Sequence, residues 1–515
     1  MAFELLTVGQ MAQADALTIA GGTPGITLMH NAGRAVAQAI TARWAPRQTV
    51  ILCGPGNNGG DGWVVASALH AQGWPVRVAS MVPVDALKGD ARLAADAWVA
   101  ECAQHDPQQP AWQMLDMTCL DGAELVVDAL FGAGLSKPLE GLPAEVLSRA
   151  HARGLSIVAV DVPSGVWGDT GEATGAVPCE LTVTFFRKKP GHMLMPGRAL
   201  CGKVVVADIG IQPEVLTSLD VRVWDNCPCA WRTVWPHREE AGHKYHRGHA
   251  VIWGGPIMTG APRLSARAAA RVGAGLTTVC VPQSAWPVYA STLTSIMVHP
   301  VAGEGATQWQ AGLKTLLDTA RLTAALIGPG AAGGTHPVGV KALVLTMLAS
   351  GLPVVLDADA LSMFRDDPAL LFAAIAGHGR PVVMTPHEGE FARLFPASVI
   401  DPSEGKLERT RRAAQLSGAI VLLKGADTVV AAPDGRAMVN AHAPSTLATA
   451  GSGDVLAGLI VGLLAQGMPA WQATCAAVWL HGDAAHVFGP GLIADDLPEQ
   501  IPQVLRRLAE QISHC

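Results

Sequence analysis

Short apolar runs alternate with Ala/Leu-rich stretches of helical period along almost the whole chain. This rhythm constrains the fold more than any other feature. Between about residues 49 and 210, TVILC, VRVAS, ELVVDALFG, SIVAVDVPSG, LTVTFF and KVVVADIG read as strands, with GWVVASALHAQG and PAEVLSRAHARG as helices between them. Strands that are apolar on both faces and joined by helices call for a parallel sheet covered on both sides. Residues 9–43 read as two helices ahead of that sheet. The stretch 223–249, rich in Trp, His, Pro and charge, then breaks the rhythm. A second series follows in AVIWGG, LTTVCVP, AALIGPG, PVVLDADAL, PVVMTPHEGE and AIVLLKGADTVVAAPDG, and ends in the helix GDVLAGLIVGLLAQG. The halves share no repeat. The expectation is two different α/β domains: residues 1–220 with a Rossmann-like parallel sheet, a linker over 221–235, and a second domain over 236–515.

At 515 residues the chain exceeds one ordinary core. Charged residues are 15% of the sequence, against a usual share of about 25%. With net charge −7 and its 26 arginines and 10 lysines scattered, the chain has no basic stripe for nucleic acid. The N-terminal MAFELLTVGQMAQADAL has no basic and then apolar signal segment. The longest apolar run, 455–465, is too short to cross a bilayer. Ten cysteines show no repeated spacing, and the close pair Cys227 and Cys229 reads as two unpaired thiols in a linker. These features predict a cytoplasmic protein with small-molecule ligands and no membrane partner; a homo-oligomer is also expected.

GPGNNGGDG (54–62), directly after the first strand, packs five glycines, two asparagines and an aspartate into nine residues. Gly54, Gly56 and Gly59 spell G-x-G-x-x-G, a dinucleotide fingerprint. The fingerprint also requires an acid at the end of the second strand, and none follows until Asp85. A P-loop is excluded because no Gly-Lys-Ser/Thr follows. Asn57, Asn58 and Asp61 offer oxygens that suit a hard cation such as Na⁺, K⁺ or Mg²⁺. Asp128 in VVDALFGAGLSKP, and Asp161 and Ser164 in VDVPSG, add matching groups at two later strand ends. One such loop would be an ordinary turn. Three at strand C-termini can converge on a ligand.

CGPGNNGGDGWVVA, DALFGAGL, DVPSG and TVTFFRKKPG together resemble the NAD(P)H-hydrate epimerase domain of the YjeF N-terminal type, over roughly residues 1–215. The resemblance implies that the glycine loop lies against the phosphates of a damaged nicotinamide dinucleotide. Asn58, Asp128 and Ser164 would hold K⁺. The hydrate would contact Asn57, Asn58, Gly59, Gly60 and Asp61, then Gly132, Ala133, Gly134, Leu135, Ser136, Lys137 and Pro138, and finally Asp161 as acid/base.

In the second half, TAGSGDVLAG (449–458) lets backbone amides approach an anion through Gly451 and Gly453, at the positive end of the helix that follows. Asp454 at that helix start is either an N-cap or a base that takes a hydroxyl proton. LLKGADT puts Lys424 at a strand end before Gly425, and TPHEGE puts His387 and Glu390 on one turn. Asp357 and Asp359 in LDADAL serve metal or substrate, or cap the next helix.

In order, GGPIMTGAPRLSARAAARVGAGLTTV, IGPG, LDADAL, TPHEGE, LKGADT and AGSGDVLAG resemble the ribokinase-like superfamily, and within it ADP-dependent NAD(P)H-hydrate dehydratase, over about 235–505. The resemblance implies a ribokinase-like domain in which Ala261, Gly330, His387 and Asp454 contact the hydrate. Lys424, Gly425, Ala426, Asp427, Thr428 and Gly453 would bind ADP or AMP, and Glu390 would reach Mg²⁺ through water. Ala450 and Ser452 stand where that family often has Gly and Thr, and HAPSTLA lacks glycines common there. Together the resemblances imply metabolite repair: epimerisation of R and S hydrates of NADH and NADPH, and dehydration of the S form with ADP or ATP, which releases AMP or ADP and phosphate. The rivals are a small-molecule kinase that leaves phosphate on its product, and a first domain that binds without chemistry.

Overall fold

The structure, a computed structural model, describes residues 3–105, 110–135, 137–236, 243–332 and 337–514, without the side chains of 337–338 and 511–514. The chain divides into two compact units, residues 2–223 and 224–515.

The first unit is built on seven strands: β1 (Thr49–Cys53), β2 (Val76–Ser80), β3 (Gln113–Met114), β4 (Leu125–Ala129), β5 (Ser156–Val160), β6 (Leu181–Phe185) and β7 (Lys203–Ala207). They lie in the order β3-β2-β1-β4-β5-β6-β7, and every pairing is parallel. Alternate residues of β1 face opposite layers, as strand geometry dictates. Ile51 and Cys53 join the core under helices Gly25–Thr41 and Asn57–His70, while Val50 and Leu52 join the core under helix Leu142–Ala152. The chain moves outward from β1 to β3 and then returns to β4, on β1's other side. The loops after β1 and β4 therefore flank the switch point where ligands of open α/β sheets bind.

The second unit has ten strands: β8 (Val223–Asp225), β9 (His249–Trp253), β10 (Leu276–Pro282), β11 (Met297–Val301), β12 (Ala324–Ile327), β13 (Val354–Leu356), β14 (Val382–Met384), β15 (Ile420–Leu423), β16 (Thr428–Ala431) and β17 (Ala437–Asn440). Their order is β11-β10-β9-β12-β13-β14-β15-β16-β17-β8. Pairing is parallel from β11 to β15 and antiparallel through β16 and β17. Here the order reverses between β9 and β12, so the loops after β9, β12, β13, β14 and β15 share one edge.

The apolar run at 455–465 belongs to helix Ser452–Ala465, whose residues are all buried except Gly453 and Asp454. It lies against helix Gly260–Val272 so closely that a Cβ on Gly458 would sit 2.2 Å from the Ser265 carbonyl oxygen. Burial on all sides explains its uniform hydrophobicity. No described helix is long and apolar enough to cross a membrane.

Residues 224–235, expected to be linker, pack into the second unit. Trp231 is fully buried in its core, Trp224 and Trp235 pack against that core, and the Asn226 amide donates to the Val439 carbonyl at 3.0 Å. Four strands, β3, β8, β11 and β17, went unread in the sequence. β11 carries Pro300, which an edge strand tolerates and which hides the strand from a propensity reading.

Candidate functional site

The glycines after β1 answer first to packing. A Cβ on Gly54 would lie 1.8 Å from the Leu130 carbonyl oxygen, and one on Gly59 would lie 1.9 Å from the Gly54 oxygen. The β1 and β4 loops are thus pressed together backbone to backbone, and helix Asn57–His70 starts hard against its strand. Asn57, Asn58, Asp61, Gly132, Ala133, Gly134, Leu135, Lys137, Pro138 and Asp161 line one cleft of about 820 Å³, with Gly56 at its wall. Gly59 and Gly60 do not line it, and Ser136 lies outside the described residues.

Asp161, just after β5, has φ +67°, a conformation costly for a residue with a Cβ. Its neighbours hold it there. The Asp161 amide donates to the Val183 carbonyl at 2.8 Å, and His192 Nε2 donates to the Asp161 carbonyl at 2.8 Å. That tautomer follows because His192 Nδ1 accepts from the Lys189 amide at 2.9 Å. Around the carboxylate, Lys189 Nζ donates to Oδ1 at 2.5 Å, Thr184 Oγ1 to Oδ1 at 2.8 Å and the Ala133 amide to Oδ2 at 3.0 Å. Burial alone would raise the Asp161 pKa. The charge and hydrogen bond of Lys189, with His192 and the Ala133 amide, win and bring it down to about 2. Asp161 is therefore a carboxylate at neutral pH. It can accept a proton or face a cation, but the acid half of an acid/base role is not available to it at rest.

Other carboxyls in the cleft behave oppositely. Burial, then the charges of Asp161 and Asp15, hold Asp61 well above the usual range. Burial, opposed by Lys189, lifts Asp15 to about 6. Behind the cleft, Asp128 accepts the Ser164 amide at 2.8 Å and the Ser164 hydroxyl at 2.6 Å. Burial raises its pKa and hydrogen bonds from Ser164 and Leu130 oppose that; among the described residues this buried carboxyl has no cationic partner. Asn58 Nδ2 is buried with no hydrogen-bond partner among the described residues, and the Asn58 Oδ1 lies 2.9 Å from where a Gly132 Cβ would stand.

In the second unit, helix Ser452–Ala465 is capped by Gly451 in the left-handed conformation (φ +87°), and Asp454 is its third residue. The N-cap alternative for Asp454 is thereby excluded. Ser265 Oγ donates to the Asp454 carbonyl at 2.8 Å and to the Ala261 carbonyl at 3.2 Å, which ties the Asp454 turn to helix Gly260–Val272. Burial, then Asp357 and Asp359, raise the Asp454 pKa against Lys424, to about 7. Lys424, following β15, donates to Asp357 Oδ1 at 2.9 Å and lies 4.0 Å from Glu390 Oε2. A Cβ on Gly453 would meet its Nζ at 3.4 Å.

The remaining expected residues scatter around this centre. His387 is exposed and caps helix Glu388–Leu394: its Nδ1 accepts the Gly389 amide at 3.0 Å, while buried Glu390 accepts the His387 amide at 2.9 Å. Gly330 packs its backbone under Met258, with 2.4 Å from its would-be Cβ to the Met258 oxygen. Asp427 is paired with Lys406 at 2.7 Å, and Thr428 Oγ1 donates to the Gly425 carbonyl at 2.9 Å. Gly425 and Ala426 share that turn between β15 and β16. Neither Asp357 nor Asp359 caps a helix. Asp359 Oδ2 accepts the Ala332 amide at 2.8 Å, and the intervening Ala358 has φ +46°.

Residues 25–191 match the model of the YjeF-related protein N-terminus, and residues 249–504 match that of NAD(P)H-hydrate dehydratase. The bifunctional NAD(P)H-hydrate repair enzyme of Moorella thermoacetica is 37% identical over 99% of this chain and 98% of its own. That of Salinibacter ruber is 37% identical over 97% and 96%, and that of Escherichia coli 32% over 96% and 92%. The chain belongs to the bifunctional NAD(P)H-hydrate repair enzymes. It has both domains of that family, so the two sites above lie in an epimerase domain and a dehydratase domain.

Sequence reasoning missed Lys189, Thr184 and His192 around Asp161, and Ser265 and Lys406 in the second unit. A signal existed for one of them: Lys188-Lys189 is a lysine doublet, in a chain with ten lysines, shortly after the apolar strand β6. Asp15, on helix Val8–Ala20, carries no motif at all.

Proposed function

We propose that the first site interconverts the R and S hydrates of NADH and NADPH, and that the second removes water from the S hydrate with ADP or ATP. One observation carries this reading: each unit has its own aspartate with a lysine nearby, and Lys189 bonds Asp161 directly at 2.5 Å whereas Lys424 bonds Asp357 at 2.9 Å instead of Asp454, so Asp161 is held low, near 2, and Asp454 high, near 7. Exchange at a carbon bearing nitrogen and hydroxyl passes through a cationic or ring-opened form, which a fixed carboxylate faces well. Phosphoryl transfer to a hydroxyl needs a base whose pKa lies near working pH.

At the second site, Asp454 would take the proton from the hydrate's hydroxyl as that oxygen bonds to the terminal phosphorus of ADP, and AMP leaves. The C–O electron pair then departs with phosphate, the neighbouring carbon loses its proton, and the ring double bond returns. Gly451 and Gly453 keep the loop amides open to the phosphate, and the helix adds its positive end. Lys424 stands beside Gly453, Ala261 and Gly330 shape the substrate side, and His387 reaches in from its exposed turn. Gly425 to Thr428 form the nucleotide edge, with Asp427 steadied by Lys406.

At the first site, Asn57, Asn58 and Asp61 with Gly132 to Leu135, Lys137 and Pro138 would enclose the dinucleotide. Asn58, Asp128 and Ser164 suit K⁺: they offer oxygens, and buried Asp128 has no cationic partner among the described residues. Bound there, K⁺ would supply the charge that Asp128 lacks. Glu390 suits Mg²⁺ through water, with phosphate oxygens as the other ligands; the ion would neutralise phosphate charge.

The test is direct. Purified enzyme is given mixed NADH hydrates with and without ADP, and absorbance of reduced nicotinamide is followed. Full recovery of absorbance with ADP, none without it, and release of phosphate are expected. Recovery of the S fraction alone would remove the epimerase reading. A stable phosphorylated product would return the second unit to an ordinary kinase.

A further inference from the structure

Lys424 is the cation that faces Asp454, yet its hydrogen bond goes elsewhere. Asp357, following β13, is 1% exposed, and one of its oxygens, Oδ1, accepts from two neighbouring strand ends. Thr385 Oγ1, after β14, donates to it at 2.8 Å, and Lys424 Nζ, after β15, donates at 2.9 Å. The backbone fixes the acceptor as well. A Cβ on Gly328 would lie 1.7 Å from the Asp357 carbonyl oxygen, and Ala358 next to it is held at φ +46°. A strained residue in a position with this little freedom marks a place where geometry has been set for a purpose other than stability.

We propose that Asp357 is a positioning residue for phosphoryl transfer: by holding Lys424 it keeps that ammonium beside Gly453, and stops it from pairing with and quenching Asp454. The inference rests on the dehydratase reading above and deepens it. Without the Asp357 charge, Lys424 would have Asp454 and Glu390 as its remaining anionic neighbours. Asp454 would gain a closer cation and lose a repelling anion, and both changes favour its carboxylate and make it a weaker base. The groups that face Asp454 are Asp357, Asp359 and Lys424, with Glu390 beyond Lys424. His481, on helix Ala470–Phe488, reaches the same turn through Ser452 Oγ at 3.2 Å, and burial keeps it neutral, with a pKa of about 4. Burial raises the Asp454 pKa first, and among the charged groups the two aspartates then act against one lysine.

The experiment is the pH dependence of kcat/KM for ADP-dependent dehydration of the S hydrate by the full-length enzyme, which reports free-enzyme groups. In the wild type the rate should rise with pH through a limb near 7. Asp357→Asn should move that limb to lower pH by about one unit or more. Lys424→Met, which removes the facing cation, should move it to higher pH. Thr385→Val disturbs the same oxygen without changing charge; it should slow the enzyme and leave the limb in place. Opposite shifts from Asp357→Asn and Lys424→Met support the assignment, and either shift can be read if the other variant does not fold. An unmoved limb in a folded Asp357→Asn enzyme overturns it, as does an equal shift in Thr385→Val. A wild type with no ADP-dependent dehydration removes the reading and the inference together, whereas an active wild type with an unmoved limb removes the inference alone.

Discussion

Both halves of the chain set a partly exposed aspartate near a lysine, Asp161 just after a strand and Asp454 in the first turn of a helix, yet their pKa values lie far apart: about 2 for Asp161 and about 7 for Asp454. Desolvation acts on both in the same direction. The difference lies in where the lysine bonds. Lys189 donates directly to Asp161 at 2.5 Å, while Lys424 donates to Asp357 at 2.9 Å and leaves Asp454 with only its distant field. The same parts in two arrangements make a carboxylate that stays ionised in one site and a stronger base in the other. An aspartate in a site loop or first helical turn is therefore not informative about its role until its cation has been located.

The largest effect that could break this comparison is on the base. Asp454→Asn keeps the shape and removes the proton acceptor, so dehydration should fall by about 10²–10⁴-fold while epimerisation in the other domain is unchanged. The sign of the stability effect is also determined. A carboxyl whose folded pKa is raised costs stability progressively as pH rises from the unfolded value of about 4 toward 7. Asp454→Asn should thus gain more in Tm at pH 8 than at pH 4. Near-normal dehydration in the variant, measured in the same preparation, would reduce Asp454 to a structural residue.

A smaller effect sharpens the other side. Lys189→Met leaves Asp161 without its ion-pair partner, and breaking such a pair typically costs on the order of 3–5 kcal/mol. The Asp161 side chain keeps 15% of its exposure, which places the cost at the lower end. Epimerisation should fall with it, and dehydration should not. The wild-type pair contributes its stability above the unfolded pKa of about 4 and loses it as pH falls toward 2, so the two proteins should converge in Tm at acid pH. A variant as stable as the wild type at neutral pH would show that Lys189 does not hold Asp161.

How much of this could be read beforehand follows the range of the interactions. Strands such as TVILC and SIVAV were legible because burial on both faces writes itself into consecutive apolar residues. The site loops were legible because Gly, Asn and Asp cluster where strands end. Partner choice was not. Nothing in Lys424 or Lys189 as letters says which of several nearby aspartates each will meet, since that is decided by the parallel register of strands that lie far apart in sequence. The N-cap alternative for Asp454 also depended on geometry alone, because one residue decides between capping and pointing outward, and Gly451 took the cap. Composition misled at 224–235, where Trp and Pro suggested a linker and Trp231 instead fills the second core.

The account's central claim is that lysine placement sets the two aspartates to very different pKa values. The most direct test is carbon-13 NMR of enzyme labelled at aspartate side-chain carboxyls, with the two resonances assigned through Asp161→Asn and Asp454→Asn. The Asp454 carboxyl should titrate with a midpoint near 7, and the Asp161 carboxyl should remain a carboxylate until pH approaches 2. If both titrate together near the ordinary value of about 4, the two sites are not electrostatically distinct and the account is wrong.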